Sequence, residues 1–138
     1  MNIPSQALLT GLCTAVALTA CSDNKSSGPT GPANVVGDYT LTTVNGLPLP
    51  YTVNQNPGSI IRQGQMSLRL GNTYDLVLEV SDKNGNETYQ EPGSWGTFYI
   101  DSIYFEPDTD GSPSYRGTVG NGILRTVTPD GLALHFRE

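Results

Sequence analysis

The chain has 138 residues, of which 7 are basic and 13 acidic, so its formal net charge is −6 at pH 7. A protein of this sign repels the phosphate backbone of nucleic acids, which argues against that class of partner. The length fits a single domain with one modest hydrophobic core.

The N-terminal residues have the pattern of an export signal. Residues 7–20 form an uncharged apolar run, which suits a secretory signal and is shorter than the roughly 20 apolar residues that span a bilayer. The run ends in Leu18-Thr19-Ala20 directly before Cys21. This tetrapeptide resembles the lipobox of bacterial lipoproteins, which signal peptidase II cleaves. The resemblance implies that residues 1–20 are removed and that Cys21 carries a diacylglyceryl group and an acylated amine.

Two or more acyl chains hold a protein stably on a membrane, because each buried methylene contributes about 0.8 kcal/mol. We therefore expect anchoring to membrane lipid without spanning. Ser22 follows the cysteine, and by resemblance to Gram-negative lipoproteins a residue other than Asp there favours the outer membrane, on its periplasmic side or surface. An ordinary secretory signal and a disordered apolar tail are the alternatives, since residues 1–6 contain no Lys or Arg.

The two cysteines of the chain are both assigned by this interpretation. Cys13 follows the large Leu12 and is expected to be discarded with the signal, while Cys21 is lipidated. No disulfide is then expected within the mature chain, although an exported protein is allowed one. Residues 21–34 are rich in Gly, Pro and Ser without a large apolar side chain, which predicts a flexible tether.

From residue 35 onward, short β-branched and aromatic runs alternate with turn residues, which is typical of an all-β domain over 35–138. Asn45-Gly46, Gly71-Asn72 and Asn121-Gly122 mark tight turns, because these residues tolerate positive φ. The predicted strands are 35–44, 47–53, 66–70, 73–80, 87–91, 94–100, 102–106, 114–119, 123–128 and 132–137.

The connections between these strands are short, and this favours an antiparallel up-and-down meander of about eight strands closed into a small barrel. Residues 54–65 are predicted to be the longest connection, with Ile60 and Ile61 folded over one end of the domain. Pro92-Gly93 is predicted to end a polar strand. Four side chains on either side of a bulge or turn near Asp101 are expected to face inward: Phe98, Ile100, Ile103 and Phe105.

Several short motifs resemble the lipocalin-like domains of small bacterial lipoproteins. They include Gly37-Asp38-Tyr39-Thr40-Leu41, the Asn45-Gly46 hairpin, and Gly71-Asn72-Thr73-Tyr74-Asp75-Leu76. Gly93-Ser94-Trp95-Gly96, Asp101-Ser102-Ile103-Tyr104-Phe105 and the closing Gly131-Leu132-Ala133-Leu134-His135-Phe136 continue the likeness. The resemblance implies a lipocalin-like barrel, whose eight strands enclose either a solid core or one small ligand.

Five aromatic residues are candidates for lining a ligand pocket, because they combine an apolar body with a polar tip: Tyr39, Tyr74, Trp95, Tyr99 and Tyr104. Aromatic strand residues more often fill the core, and that is the alternative for these five. His135 is expected to face outward from the last strand. The acidic turns at 82–87 and 108–111 lack the full ligand run of a calcium loop, and turn chemistry explains both.

No nucleophile elbow, phosphate-binding loop or metal-ligand spacing is present in the sequence, so we predict no enzyme activity, no cofactor and no metal. The leading hypothesis is a lipid-anchored, non-enzymatic barrel that binds a small apolar ligand or a protein partner of the cell envelope. The alternative is a structural or interaction module with a solid core, similar to barrel inhibitors and envelope-stress lipoproteins.

Overall fold

A computed structural model describes residues 35–53 and 58–138 of the chain, and these residues form strands, turns and loops. The predicted signal, its Leu18-Thr19-Ala20-Cys21 motif and the tether all lie outside the described residues. The strands are β1 (Gly37–Val44), β2 (Leu47–Pro48), β3 (Tyr51–Thr52), β4 (Ile60–Arg69), β5 (Thr73–Asp82), β6 (Gly85–Tyr99), β7 (Ser102–Pro107), β8 (Tyr115–Gly120), β9 (Ile123–Val127) and β10 (Ala133–Arg137).

The sheet closes on itself, and the predicted all-β barrel fold is confirmed. Neighbours from β4 to β10 pair antiparallel in chain order, and β1 pairs with both β10 and β4. Eight strands therefore form the barrel, while β2 and β3 are two-residue additions on β1 and β4. Closure leaves no open edge along these eight strands, which removes the template for edge-to-edge aggregation.

Two hairpins turn on Asn-Gly pairs, as the sequence predicts. Asn45 and Gly46 have φ values of 52° and 77°, and Asn121 and Gly122 have values of 53° and 70°. These turns match the right-handed twist of the strands they join. Asn45 has a second role that its sequence context does not show: its backbone N–H donates to the Ala133 carbonyl and its Oδ1 accepts from the Ala133 N–H, each at 2.8 Å. The first turn is thereby fixed to β10.

Alternating inward residues of the eight strands fill the middle of the barrel. The most deeply buried large side chains are Tyr39, Phe105, Phe136, Ile61, Met66, Leu68, Leu76, Ile103, Leu124 and Leu134. Each fully buried aliphatic or aromatic side chain contributes about 1.5–3 kcal/mol relative to an exposed one. Within the described residues, no helix is long and apolar enough to cross a bilayer.

The prediction that Pro92-Gly93 ends a strand is wrong. Strand β6 runs without interruption through both residues, and Asp75 of β5 lies opposite Pro92. A proline is tolerated at this point because the pairing of β6 with β7 begins only at the next residue, Gly93, which faces Pro107. The continuous strand carries one set of alternating side chains from the β5–β6 turn to the middle of the barrel.

Three further expectations about this sheet are corrected. Ile60 and Ile61 do not cap the barrel from a loop, because they open β4 and pair with β5. Phe98 is 43% exposed and Ile100 is 88% exposed, so neither faces inward. The Trp95 side chain points inward from β6, and alternation along the strand turns Phe98, three residues later, outward. Ile100 lies in the turn that follows. The bulge or turn expected near Asp101 is present as a turn at Ile100 and Asp101, and a register shift between Thr97 and Tyr99 precedes it.

Candidate ligand-binding cavity at one end of the barrel

A cavity of about 590 Å³ lies at one end of the barrel. The residues that line it come from the β5–β6 hairpin, the β7–β8 loop, the β9–β10 loop and the start of β4. Its apolar part is built by Ile61 of β4, by Leu76, Leu78 and Val80 of β5, and by Leu132 of the β9–β10 loop. The opposite end, where β1 begins, has the β4–β5, β6–β7 and β8–β9 turns.

The polar part of the cavity comes mainly from β6. Glu87, Tyr89 and Glu91 are spaced two apart, so strand periodicity places them on one face. This is the inward face, because Gly93 and Trp95 continue the same parity and are buried. Glu91 is 8% exposed, whereas Tyr89, nearer the solvent, is 48% exposed. The strand thus carries the polar set from the mouth of the cavity to its floor.

Glu91 is the polar centre of the site, and three phenols donate hydrogen bonds to its carboxylate. Its Oε1 accepts from the hydroxyl of Tyr74 at 2.8 Å and from that of Tyr115 at 2.6 Å. Its Oε2 accepts from the hydroxyl of Tyr89 at 2.7 Å. Hydrogen bonds to a charged acceptor are short and about twice as strong as neutral ones. This carboxylate and its three phenols are called the Glu91 cluster below.

The core holds the phenols of the Glu91 cluster in place. The Tyr74 ring meets the Phe105 ring edge-on at a centroid distance of 5.0 Å, and the Tyr115 ring stacks on Phe105 at 5.0 Å. Gly93 leaves room for this arrangement, because a Cβ atom there would collide with the Tyr74 ring and the Glu106 carbonyl. The hydroxyl positions are therefore set by packing as well as by hydrogen bonding.

Burial and the carboxylate together keep the three phenols protonated. Desolvation is the main reason that the pKa values of Tyr74 and Tyr115 lie well above the ordinary value, and hydrogen bonding to Glu91 raises both further. The same two causes raise the pKa of Tyr89 to about 12. At neutral pH all three hydroxyls are therefore donors, which is the state that stabilises a buried carboxylate.

The formal charges that line the cavity have one sign. Asp82, Glu87, Glu91 and Asp130 line it, and no Lys, Arg or His is among its lining residues in the described part of the chain. Asp130 also contributes to the raised pKa of Tyr89, so its charge acts electrostatically on the Glu91 cluster. The cavity combines apolar side chains with acidic groups.

The five aromatic residues predicted to line a pocket are not brought together. Tyr39 is buried in the core and donates to the Val35 carbonyl at 2.9 Å, and the Trp95 indole donates to the Arg69 carbonyl at 3.3 Å. Tyr99 is 73% exposed, and Tyr104 is half-buried over Gly96 on the other face of β6. Tyr74 alone reaches the cavity's polar centre, through its bond to Glu91.

Sequence reasoning missed Glu87, Tyr89 and Glu91 because the run 87–91 reads as polar and unpatterned. A usable signal was present: alternation counted backward from Trp95 through Gly93 places these three residues on the inward face. Assigning a strand end at Pro92 interrupted that count. Tyr115 was missed because its strand contains few other apolar residues.

His135 lies between the buried residues Leu134 and Phe136 and is half-buried rather than fully exposed. Burial lowers the pKa of His135, and the neighbouring Arg125 and Arg137 lower it further. The described residues contain no group of three or more His, Cys, Asp or Glu side chains that could hold a metal ion. At the acidic turn of the β5–β6 hairpin, Asp82 accepts from the Asn84 backbone N–H at 2.7 Å.

A second surface feature lies at the opposite end, around the β6–β7 turn. Phe98, Tyr99 and Ile100 are all exposed, and the first two rings touch with centroids 5.2 Å apart. The Arg116 guanidinium lies 5.1 Å above the Phe98 ring. We call these three apolar residues the β6–β7 tip.

No model of a known protein family matches the chain, and no curated protein matches it. The function must therefore be argued from the geometry of the site.

Proposed function

We propose that this chain is a membrane-anchored, lipocalin-like barrel protein that binds one small, largely apolar ligand in the cavity beside the Glu91 cluster, without catalysing a reaction on it. The cavity carries this proposal, because its volume of about 590 Å³ lies within the 300–1,000 Å³ typical of small-molecule sites. Eight-stranded barrels have an interior of the size that holds one small ligand. Ile61, Leu76 and Leu78 supply the apolar contact surface.

The membrane anchor is proposed from the sequence motif at Cys21 and the Gly/Pro/Ser-rich residues 21–34 that precede the barrel. Diacylation and N-acylation of this cysteine give more than one chain, which is enough for stable anchoring in the outer membrane. Mass spectrometry of the mature N-terminus tests this step. Acylated Cys21 is the expected result, and a soluble, unmodified protein beginning elsewhere overturns it. Cys21→Ala is expected to release or misprocess the protein.

Ligand binding is tested with the neutral fluorescent probe N-phenyl-1-naphthylamine. We expect saturable binding to the wild-type protein and at least about tenfold weaker binding to Leu78→Trp, because the larger ring occupies the cavity. Val127→Trp is the matched control, since Val127 is 53% exposed and is not among the lining residues of this cavity. Leu132→Trp fills the same cavity from a half-buried position and serves if Leu78→Trp does not fold.

The result that overturns the ligand proposal is equally specific. It is wrong if wild-type protein binds no probe, or if the two cavity-filling variants bind as tightly as Val127→Trp. Native mass spectrometry of the purified protein then identifies a ligand that copurifies with the wild type and is lost from the filled variants.

A second candidate is an interaction module for another envelope protein, and the β6–β7 tip favours it. Exposed aromatic and aliphatic side chains grouped at one turn are a common element of protein-binding surfaces. A photo-crosslinking residue at Ile100 is expected to capture a defined protein in cells, while the same residue at Val127, exposed on the barrel wall, does not. Equal crosslinking at both positions contradicts this candidate.

A further inference from the structure

The carboxylate of Glu91 is buried without a cationic partner among the described residues. Among residues 35–53 and 58–138, no Lys, Arg or His has a nitrogen within 4.0 Å of the Glu91 carboxylate oxygens. The Arg69–Asp38 ion pair in these ranges does not involve Glu91. Burying a carboxylate without a cation is costly unless hydrogen bonds compensate for it, and here the donors are three phenols.

The carboxylate also has room for one more donor. An ionised carboxylate offers about four lone-pair positions, two on each oxygen. Two phenols occupy those of Oε1, and Tyr89 occupies one of the two on Oε2. The remaining position belongs to Oε2, and Glu91 is among the lining residues of the cavity.

The surrounding charges decide which kind of donor fits. Asp82 and Glu87 add negative charge to the lining, so a ligand carboxylate or phosphate is repelled. A hydroxyl group can donate to Oε2 but gains nothing from the potential. A protonated amine gains both a charge-assisted hydrogen bond and attraction to the lining.

We propose that the cavity selects an amphiphile with a protonated amine, whose N–H donates to Oε2 of Glu91 while its apolar chain lies against Leu76, Leu78 and Ile61. This proposal rests on the proposed ligand-binding function and names the chemical class of its ligand. Tyr74 and Tyr115 hold Oε1, so the carboxylate keeps its second oxygen in a fixed position. Tyr89, at the mouth, shares that oxygen with the ligand.

Four probes with the same chain length separate the effects of head-group charge and of hydrogen-bond donation on affinity: octylamine, 1-octanol, octanoate and octyltrimethylammonium. Binding is measured by competition against N-phenyl-1-naphthylamine, using the full chain in nanodiscs of a zwitterionic lipid, with empty nanodiscs as the blank for partitioning. We expect octylamine to bind about ten- to a hundredfold more tightly than 1-octanol, as for a hydrogen bond to a charged group, and octanoate to bind most weakly. Octyltrimethylammonium has no N–H and is expected to bind about tenfold more weakly than octylamine.

Two variants of the Glu91 cluster and one control test the role of the carboxylate. Glu91→Gln keeps the shape and an acceptor but removes the charge, so octylamine should lose its tenfold or greater advantage while 1-octanol changes by less than about twofold. Glu79→Gln removes one exposed charge from the outer face of β5, away from the lining residues of this cavity, and is the matched control, with a change of less than about threefold expected. Tyr89→Phe frees Oε2 and should tighten octylamine binding by a few fold.

Each outcome distinguishes this proposal from the one on which it rests. If the naphthylamine probe and all four competitors fail to bind, the ligand-binding function itself is wrong. Equal displacement by octylamine, 1-octanol and octanoate leaves the ligand site in place and overturns amine selectivity. An octylamine advantage that survives in Glu91→Gln overturns the assignment of the carboxylate. The comparison of probes on wild-type protein decides selectivity even if a variant does not fold.

Discussion

Replacing Tyr115 by Phe removes one hydroxyl from the Glu91 cluster and leaves the rest of the ring in place. The lost bond is the shortest of the three that reach the carboxylate, at 2.6 Å. The Tyr115 ring is 6% exposed and keeps its stacking contact with Phe105 in the variant. The change in stability therefore reports the hydrogen bond and the carboxylate it leaves behind.

The expected cost follows from the charge of the acceptor. A hydrogen bond to a charged group contributes about 1.5–3 kcal/mol, and a buried acceptor that loses its donor retains a desolvation cost. We expect the free energy of unfolding to fall by about 2–3 kcal/mol. For a domain of about 100 residues, 1 kcal/mol corresponds to roughly 4–8 °C in Tm.

Tyr39→Phe is the matched control for this measurement. Tyr39 is 1% exposed, and its hydroxyl donates to the neutral carbonyl of Val35 at 2.9 Å. A neutral bond of this kind contributes about 0.5–1.5 kcal/mol. Both variants are unfolded in guanidinium chloride and followed by the fluorescence of Trp95, which is 2% exposed and the sole tryptophan of the chain.

The difference in unfolding free energy between the two variants tests whether the hydrogen bond from Tyr115 to Glu91 is stronger than a neutral one. If Tyr115→Phe costs no more than Tyr39→Phe, the carboxylate of Glu91 is not charged or not dependent on Tyr115, and the account of the cluster is wrong. A double-mutant cycle with Glu91→Gln measures the coupling directly, and we expect a coupling free energy of at least about 1 kcal/mol.

Three further changes test the surroundings. Gly93→Ala should destabilise the fold by about 1–3 kcal/mol in guanidinium unfolding, because the methyl group collides with the Tyr74 ring; unchanged stability contradicts the packing described. Ile103→Ala should cost about 2–5 kcal/mol in the same assay and Ile100→Ala less than about 0.5, since Ile103 is buried and Ile100 is exposed; similar costs refute that assignment. Stability should also fall as the pH rises above about 10, by about 1.4 kcal/mol per pH unit for each of Tyr74 and Tyr115. The raised pKa values keep these phenols protonated in the folded state after the unfolded state has lost its protons, so their contribution is complete below pH 10. A flat profile from about pH 9 to pH 11 contradicts this.

The fold was largely predictable, because its signals are local. Residues 73–80 alternate apolar and polar side chains, and the structure places Tyr74, Leu76 and Leu78 inside. The Asn45-Gly46 pair turns the chain as its backbone preferences require. Local signals failed at Pro92. A proline commonly ends a strand, but β6 continues through this one because the pairing of β6 with β7 begins only at Gly93.

The site was poorly predictable, since it depends on which distant residues meet. Tyr74, Tyr115 and Glu91 lie on three strands and are separated by up to 41 positions in the sequence, and only barrel closure and register bring their polar atoms together. Aromatic identity alone pointed to residues such as Tyr99 and Tyr104, which the structure places away from this cavity.

The sequence by itself determined the strand periodicity, the tight turns, the sign of the charge and the motif at Cys21, because each depends on neighbouring residues along the chain. Tertiary structure alone decided that Glu91 is buried, that three phenols converge on it, and that one barrel end holds a cavity. These properties depend on strand register, in which a shift of one residue reverses every side chain between the core and solvent. The proposed membrane anchor is thus argued from neighbouring residues in the sequence, and the proposed binding chemistry is argued from the fold.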